Sequence, residues 1–251
     1  MDTEVVTVAT HSEGTFDNLI NNDYNIKVKV LGFGKKWTGF NMKFELVYDY
    51  IKNLNDDKII IFVDAFDSEI NGTIEEAERI FKKNNYKILL STDNPPIPNY
   101  LYSLLPWTTC KNNHMGNSGL YMGYVKHLKI MLKSILKKKC KDDQFNLNKV
   151  CQKLKTIDVD HKNEIFYNKI TGKFQYNDPN INSIFISQPG TITLKRIYRA
   201  FLEYPQFYLK FLLFVYLLII YFLYKHNQLF YIFIITFLFT TWYIKMDKSC
   251  V

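Results

Sequence analysis

Apolar and polar positions follow two rhythms along the first 190 residues. Short apolar-rich runs recur at VVTVA (5–9), IKVKVL (26–31, alternating with Lys27 and Lys29), the stretch 58–63 with its five consecutive residues Ile59 to Val63, KILLS (87–91) and GLYMGY (119–124). Runs this short and this rich in β-branched and aromatic residues read as strands, the third of them buried on both faces. Between them the apolar residues fall at helical spacing. NMKFELVYDYIKNL (41–54) sets Met42, Leu46, Val47, Tyr50 and Ile51 on one face, and VKHLKIMLKSILKK (125–138) is amphipathic. TIEEAERIFKKN (73–84) predicts a helix with Thr73 as its N-cap. A short helix between the first two strands, two small elements near 156–159 and 164–167, and a last strand near 184–187 complete the pattern. Strands alternating with helices of this length predict βαβ units and a mainly parallel sheet, an α/β fold. Residues 92–115 break the rhythm with Pro95, Pro96, Pro98 and Pro106, and a loop of that length in a compact domain is functional or disordered.

Beyond residue 206 the pattern changes. FYLKFLLFVYLLIIYFLY (207–224) and LFYIFIITFLFTTWYI (229–244) have no polar face, and KHNQ separates them. About 20 helical residues span the hydrocarbon core of a bilayer, so these runs are expected to form a tight transmembrane hairpin in a thin membrane. Tyr and Trp crowd the ends of the runs, as interfacial anchors do. Lys195, Arg196 and Arg199 precede the hairpin, Lys210 lies in its first turn, and Lys245 and Lys248 follow it. The positive-inside bias then puts both flanks, and the globular part, on the cytosolic face. The expected organisation is a globular domain at 1–195, a juxtamembrane linker at 196–206, the hairpin at 207–244 and a tail at 245–251.

Charge and cysteine content narrow the function classes. The net charge of +8, from 32 basic and 24 acidic residues, is concentrated in KKKCK (137–141) and beside the apolar tail. A solvated face or an anionic lipid surface accounts for it. No zinc-finger spacing or aromatic RNA-reading signature supports nucleic acid as a partner. Cys110, Cys140, Cys151 and Cys250 form no CxxC pair and no metal-ligand spacing. The N-terminus shows no signal peptide pattern. Both features lead to the expectation of a reduced, cytosol-facing compartment.

The chemistry is suggested by IIIFVDAFDSEI (59–70), where a buried strand ends in Asp64 and a second carboxylate follows at Asp67. Carboxylates in that position must be solvated, hydrogen-bonded or bound to a cation. In open α/β sheets the ligand crevice lies at the carboxyl ends of the strands. A pair at i and i+3 can hold one divalent cation, Mg²⁺ or Mn²⁺ by its hard oxygen ligands, or can simply start a turn.

Other segments extend the pattern in a fixed order: VTVATHSEGTF, VLGFGKKWTGFNMKFELV, IIIFVDAFDSEI, GNSGLYMGY, KDDQFNL and IDVDHKNEIFYN. The series, over roughly residues 4 to 195, resembles the glycosyltransferase domain of the procollagen lysyl hydroxylase–glycosyltransferase (PLOD-like) family. The resemblance implies a GT-A-type, Rossmann-like fold that binds a UDP-sugar, UDP-galactose or UDP-glucose, through Mn²⁺ (or Mg²⁺). It places Asp64 and Asp67 on the metal-binding D-x-x-D, and Phe66 where an aromatic packs on the uracil. Val8, Ala9 and Thr10 fall on the first-strand V-A-T that lines the nucleotide, Trp37 on the tryptophan after L-G-x-G, and Lys43 on the lysine of a Gly-rich stretch, here reduced to GFNMK. Lys43 can neutralise a diphosphate or stand solvated at the start of a helix. Asn117, Ser118 and Gly119 match the N-S-G beside the donor sugar. Asp142, Asp143 and Gln144 match the acidic run facing sugar and acceptor. Asp143 is the preferred partner of an acceptor hydroxyl, as on hydroxylysine; a helix start is the alternative for this run. Asp158, Asp160 and His161 are implied mainly as architecture, with Asp160 a candidate to support the site from behind.

The family closes its metal site with a histidine after the last strand. FISQPGTITLK stands there instead, putting Ser187 at the histidine's position, with Gln188 beside it, Gly190 in the following turn and the lysine displaced or at Lys195. Neither replacement equals imidazole as a Mn²⁺ ligand. Two functions follow as expectations: a membrane-anchored transferase moving a hexose to a hydroxyl acceptor, or a catalytically inactive transferase fold serving as a membrane-tethered binding or scaffold protein.

Overall fold

The computed structural model describes residues 3–92, 109–111, 114–169, 182–188 and 205–245, with side chains in the last segment from 212 to 244. The four prolines of the 92–115 stretch, Gly190 and Lys195 lie outside the described residues.

The elements, in chain order, are β1 (Thr3–Val8), α1 (Phe16–Ile20), β2 (Val28–Leu31), α2 (Asn41–Ile51), β3 (Ile59–Val63), β4 (Ser68–Ile70), α3 (Ile74–Lys83), β5 (Ile88–Thr92), β6 (Gly116–Tyr124), α4 (Val125–Leu136), α5 (Asp143–Cys151), β7 (Ile157–Val159), β8 (Phe166–Asn168), β9 (Phe185–Ser187), α6 (Pro205–Lys225) and α7 (Leu229–Lys245). Six strands form a sheet in the order β2-β1-β3-β6-β5-β7. β6 alone is reversed: it runs antiparallel to β3 and β5, while β1 pairs in parallel with β2 and β3, and β5 with β7. The mixed, mainly parallel sheet with flanking helices is as the pattern predicts. A small sheet, β4-β9-β8, lies to one side.

Both faces of the large sheet are covered. Ile60 and Phe62 of β3 pack with Val6, Val8, Phe44, Val47, Tyr121 and Leu128 on the side of α2, α4 and α5. Ile59, Ile61 and Val63 pack with Val5, Leu19, Phe81, Met122, Phe166 and Phe185 on the other. At about 1.5–3 kcal/mol per buried side chain, β3 alone contributes on the order of 10 kcal/mol. That burial fixes where Asp64, the next residue, emerges. In α3 the Thr73 hydroxyl accepts from Glu76 N at 3.2 Å, with Glu75 and Glu76 in the first turn and Lys82 and Lys83 in the last, all favourable to the helix dipole.

One element, β4, was not anticipated, and a second, α5, was foreseen only as a helix start at 142–144. β4 is only three residues long and pairs with β9, 115–119 residues away, so it leaves no local signature. α5 carries FNLNKV, which lacks an apolar stripe; buried amides hold it instead. Asn148 bonds both the N–H and the carbonyl of Gly116, each at 2.9 Å, and Asn146 donates to Cys140 O at 2.7 Å.

Two expectations are corrected. The cysteines are not all reduced: Cys110 and Cys151, 41 residues apart, form a disulfide with Cα atoms 5.2 Å apart. Sequence spacing carries no information about such a pairing. The apolar tail does fold as a helical hairpin, closed at Asn227 (φ 58°) and joined by Tyr216, which bonds Thr236 at 3.0 Å and stacks on Phe239 at 4.5 Å. Yet among the described residues no helix is long and apolar enough to cross a membrane. The 17 residues of α7 rise about 26 Å, short of the roughly 30 Å hydrocarbon core.

Candidate functional site

Because β6 is reversed, its first residues meet the carboxyl ends of β1 and β3 at one sheet edge. Asp64 N donates to Gly119 O at 2.8 Å. A Cβ on Gly119 would lie 2.9 Å from Asn117 Oδ1 and 3.5 Å from the Asp64 carboxylate, so only glycine lets the strand come this close. Asn117 Oδ1 accepts from Gly119 N at 2.6 Å, which shapes the start of β6.

Lys43 connects the acids. It lies in the first turn of α2, yet it is only 7 % exposed, so the solvated alternative does not hold. Its Nζ stands 3.1 Å from Asp64 Oδ2 and 2.9 Å from Asp143 Oδ2. Burial alone would lower its pKa, but the charges of Asp143 and Asp64 outweigh that and raise it well above the usual lysine range. Ser118 Oγ donates to the same Asp143 oxygen at 2.7 Å. Residues from α2, β3, β6 and α5 thus share one buried ionic network. The phenol of Tyr121, stacked 4.8 Å above Phe62, is buried with its hydroxyl unpartnered near this network, and burial raises its pKa.

Asp67 and Ser187 come together across 120 residues. Ser187 Oγ donates to Asp67 Oδ1 at 3.1 Å, Ser68 Oγ to the same atom at 3.3 Å, and Gln188 N to Asp67 O at 2.7 Å. The Asp67 carboxyl is pushed up to about 6, first by burial and then by the charge of Asp64, while the Ser187 hydroxyl pulls it down. A carboxyl with a folded pKa above its unfolded value of about 3.9 binds its proton more tightly when folded. Its stabilisation is therefore full below about pH 4 and is lost as pH rises through about 6. Asp67→Asn should flatten the dependence of unfolding free energy on pH between these limits and stabilise the fold at pH 7 by about 1–3 kcal/mol. Denaturant titrations at several pH values that leave the slope intact would show that another group carries it.

The remaining residues divide. Val8 and Ala9 are buried at the end of β1, Thr10 O accepts from Gly34 N at 2.9 Å, and Thr10 Oγ1 bonds His11 Nδ1 at 2.9 Å. Phe66 is half-buried, with the His11 ring 5.3 Å away. Trp37 is exposed and meets Phe40 edge-on. Asp142 is the N-cap of α5, accepting from Phe145 N at 2.5 Å, so it builds the helix rather than facing the network; Gln144 O accepts from Asn148. Asp160 is buried and accepts from the N–H groups of Glu164, Ile165 and Phe166 at 3.0, 2.7 and 2.8 Å, a structural role. Asp158 pairs with Lys111, and the His161 ring stacks on His114, both away from Lys43.

Three contributors escaped the sequence reading: Gly14, Thr15 and Asn148. Thr15 N donates to Phe66 O at 3.1 Å and its hydroxyl to Ser68 O at 2.8 Å, fixing the segment between the two acids. The positive φ of Gly14, +59°, had only its residue type as a signal.

Asp64, Asp67 and Ser187 supply hard oxygen donors, and the effect of Asp64 on Asp67 shows that the two carboxylates feel each other's charge. That set fits a divalent cation such as Mg²⁺ or Mn²⁺. Among the described residues no group of three or more His, Cys, Asp or Glu completes it. A cavity of about 450 Å³ lined by Thr3, Asp56, Glu78, Lys82, Lys87 and Tyr124 lies at the opposite end of β1 and β6 and includes none of these side chains.

Comparison with known proteins bears on the same region. The family model described as PLOD GT domain matches residues 1–179. Procollagen-lysine,2-oxoglutarate 5-dioxygenase 2 of Mus musculus is 29% identical over 180 residues, covering 64% of this chain and 24% of its own. The multifunctional procollagen lysine hydroxylase and glycosyltransferase of Caenorhabditis elegans is 30% identical over 185 residues, 65% of this chain and 25% of its own. The chain thus spans about a quarter of the length of these relatives. A solved structure, A197 from STIV, covers 63% of the chain at 11% identity with a TM-score of 0.41, too remote to bear on the site. With the match running from β1 through β8 and taking in Lys43, the D-x-x-D, the N-S-G and Asp143, the chain belongs to the PLOD GT domain family.

Proposed function

We propose that this chain is a glycosyltransferase that binds a UDP-hexose, galactose or glucose as the sugar, at the edge where β1, β3 and β6 meet, with Mn²⁺ or Mg²⁺ held by Asp64, Asp67 and Ser187. The observation that carries the reading is the bridge from Lys43 to Asp64 and Asp143, which sets a buried cation beside the D-x-x-D and an acid beside the N-S-G. A bound divalent cation would offset the negative charge that develops on the departing diphosphate. Lys43 adds a second positive charge on the same side. The half-buried Phe66 ring offers an apolar face to a base. Asp143, held by Ser118 and Lys43, orients the acceptor hydroxyl and accepts its proton. A hydroxylysine-like acceptor follows from the named activities of the relatives.

The hairpin gives this transferase its place. Leu213, Phe214, Leu217, Phe222, Phe230 and Phe233 are all exposed, an apolar surface well beyond what a monomer normally leaves in water. We infer that it holds the fold at a lipid surface. The basic flanks favour the cytosolic side of that surface, whereas the Cys110–Cys151 disulfide favours an oxidising one.

Calorimetric titration of UDP into the detergent-solubilised chain, with and without Mn²⁺, tests the donor site. Metal-dependent binding that disappears in Asp64→Ala/Asp67→Ala is the expected result. A folded wild-type chain that binds no UDP would favour an inactive, scaffolding transferase fold, a reading supported by serine in place of the family's histidine at 187.

A further inference from the structure

Lys43 occupies a carboxylate oxygen that a metal would need. Its ammonium sits 3.1 Å from Asp64 Oδ2, and Asp64 is one of the two D-x-x-D carboxylates that would hold a cation here. The lysine has a second partner at 2.9 Å, Asp143 Oδ2, so it can release Asp64 without becoming an unpaired buried charge. The charges agree with this. Asp64, Asp67 and Asp143 against one lysine leave a formal −2, which one divalent cation neutralises with Lys43 still in place. The third oxygen, Ser187 Oγ, is a neutral hydroxyl already donating to Asp67, so it adds little to hold a metal against competition.

We propose, resting on the donor-site reading above, that Lys43 is an internal counter-cation of the site. It neutralises Asp64 while no metal is present and retreats to Asp143 alone when a divalent cation binds. The affinity of this chain for metal is therefore set by competition with its own lysine. The two carboxylates that hold Lys43 have opposite parts: Asp64 is contested, and Asp143 is the refuge that makes release inexpensive.

The test is Mn²⁺ binding to the full chain in detergent, without nucleotide and at fixed pH, read from the electron paramagnetic resonance signal of free Mn²⁺. Lys43→Met should tighten Mn²⁺ binding by about tenfold, since one competing buried ion pair is removed. Asp143→Asn should weaken it several-fold, because Lys43 then has only Asp64. In the Lys43→Met background the same Asp143→Asn change should have little effect, and this non-additivity separates competition from a general loss of negative charge. The Lys43→Met/Asp143→Asn pair keeps the buried charges balanced and carries the comparison if Lys43→Met alone does not fold. Wild-type binding that is abolished by Asp64→Ala/Asp67→Ala but unchanged or weakened in both Lys43 variants would overturn the competition and leave the metal site standing. Absence of Mn²⁺ binding in every variant would overturn both.

Discussion

Replacing Lys43 by methionine should lower the free energy of unfolding by about 3 kcal/mol at pH 7 without metal, the largest loss expected from any single change of charge in this fold. The substitution keeps the side chain's length and apolar stem but leaves the carboxylates of Asp64 and Asp143 facing each other with no cation between them. Asp143 is buried, and the Asp64 side chain is 23 % exposed, so water softens the penalty on one side only. Chemical unfolding followed by near-ultraviolet circular dichroism measures the loss. Adding Asp143→Asn should restore most of it, because the second change removes a charge left unpaired. A loss below about 1 kcal/mol would mean that the network is solvated as a surface pair is.

Gly14→Ala should cost a similar amount, about 3 kcal/mol, by a different route. A Cβ at residue 14 would stand 2.0 Å from the carbonyl oxygen of Phe66, in a backbone conformation of φ +59° that side chains disfavour. Neither partner can yield easily. Thr15, the next residue, is bonded to Phe66 O and Ser68 O, so a shift of this turn displaces the segment that separates Asp64 from Asp67. UDP binding should weaken along with stability. Gly34→Ala is the matched control: its φ is +80°, but a Cβ there meets nothing within 4 Å, so only the backbone penalty of about 1 kcal/mol applies. Equal losses at the two glycines would show that the approach to Phe66 is not tight.

The strands could be read because burial on both faces writes an unbroken apolar run, as in Ile59 to Val63, and helices α2, α3 and α4 because each buries a single stripe. The same logic explains what could not be read. The buried polar residues of α5 make amide hydrogen bonds, to which apolar periodicity is blind, and β4 exists through a partner far along the chain. Lys43 has the sequence context of a solvated helix start; its burial depends on Asp143 arriving from α5, a hundred residues later. Asp142 and Asp143 are neighbours of the same type, and only the helix geometry assigns one to a cap and the other to the network. That Ser187 would lie beside Asp67 followed from the family resemblance, since three residues of a short edge strand carry no such information themselves. The apolar tail was legible as two helices, and its runs were already short against a bilayer in the sequence.

The disulfide changes how the site can move. Cys110 precedes β6 and its Asn117–Gly119 segment, while Cys151 ends the helix that begins at Asp143, and the amide clamp of Asn148 on Gly116 lies between. These two pieces of chain are bolted at one end and clipped in the middle, so they travel as one lever. Separating Asp143 from Ser118 means breaking their own hydrogen bond against the Asn148 clamp, while the disulfide keeps the far ends of the two pieces together. The compliance a ligand would call on therefore lies in the opposite jaw, the Asp64–Ser68 turn, which carries no covalent cross-link and is held by the Lys43–Asp64 ion pair, by hydrogen bonds and by the packing of Ala65.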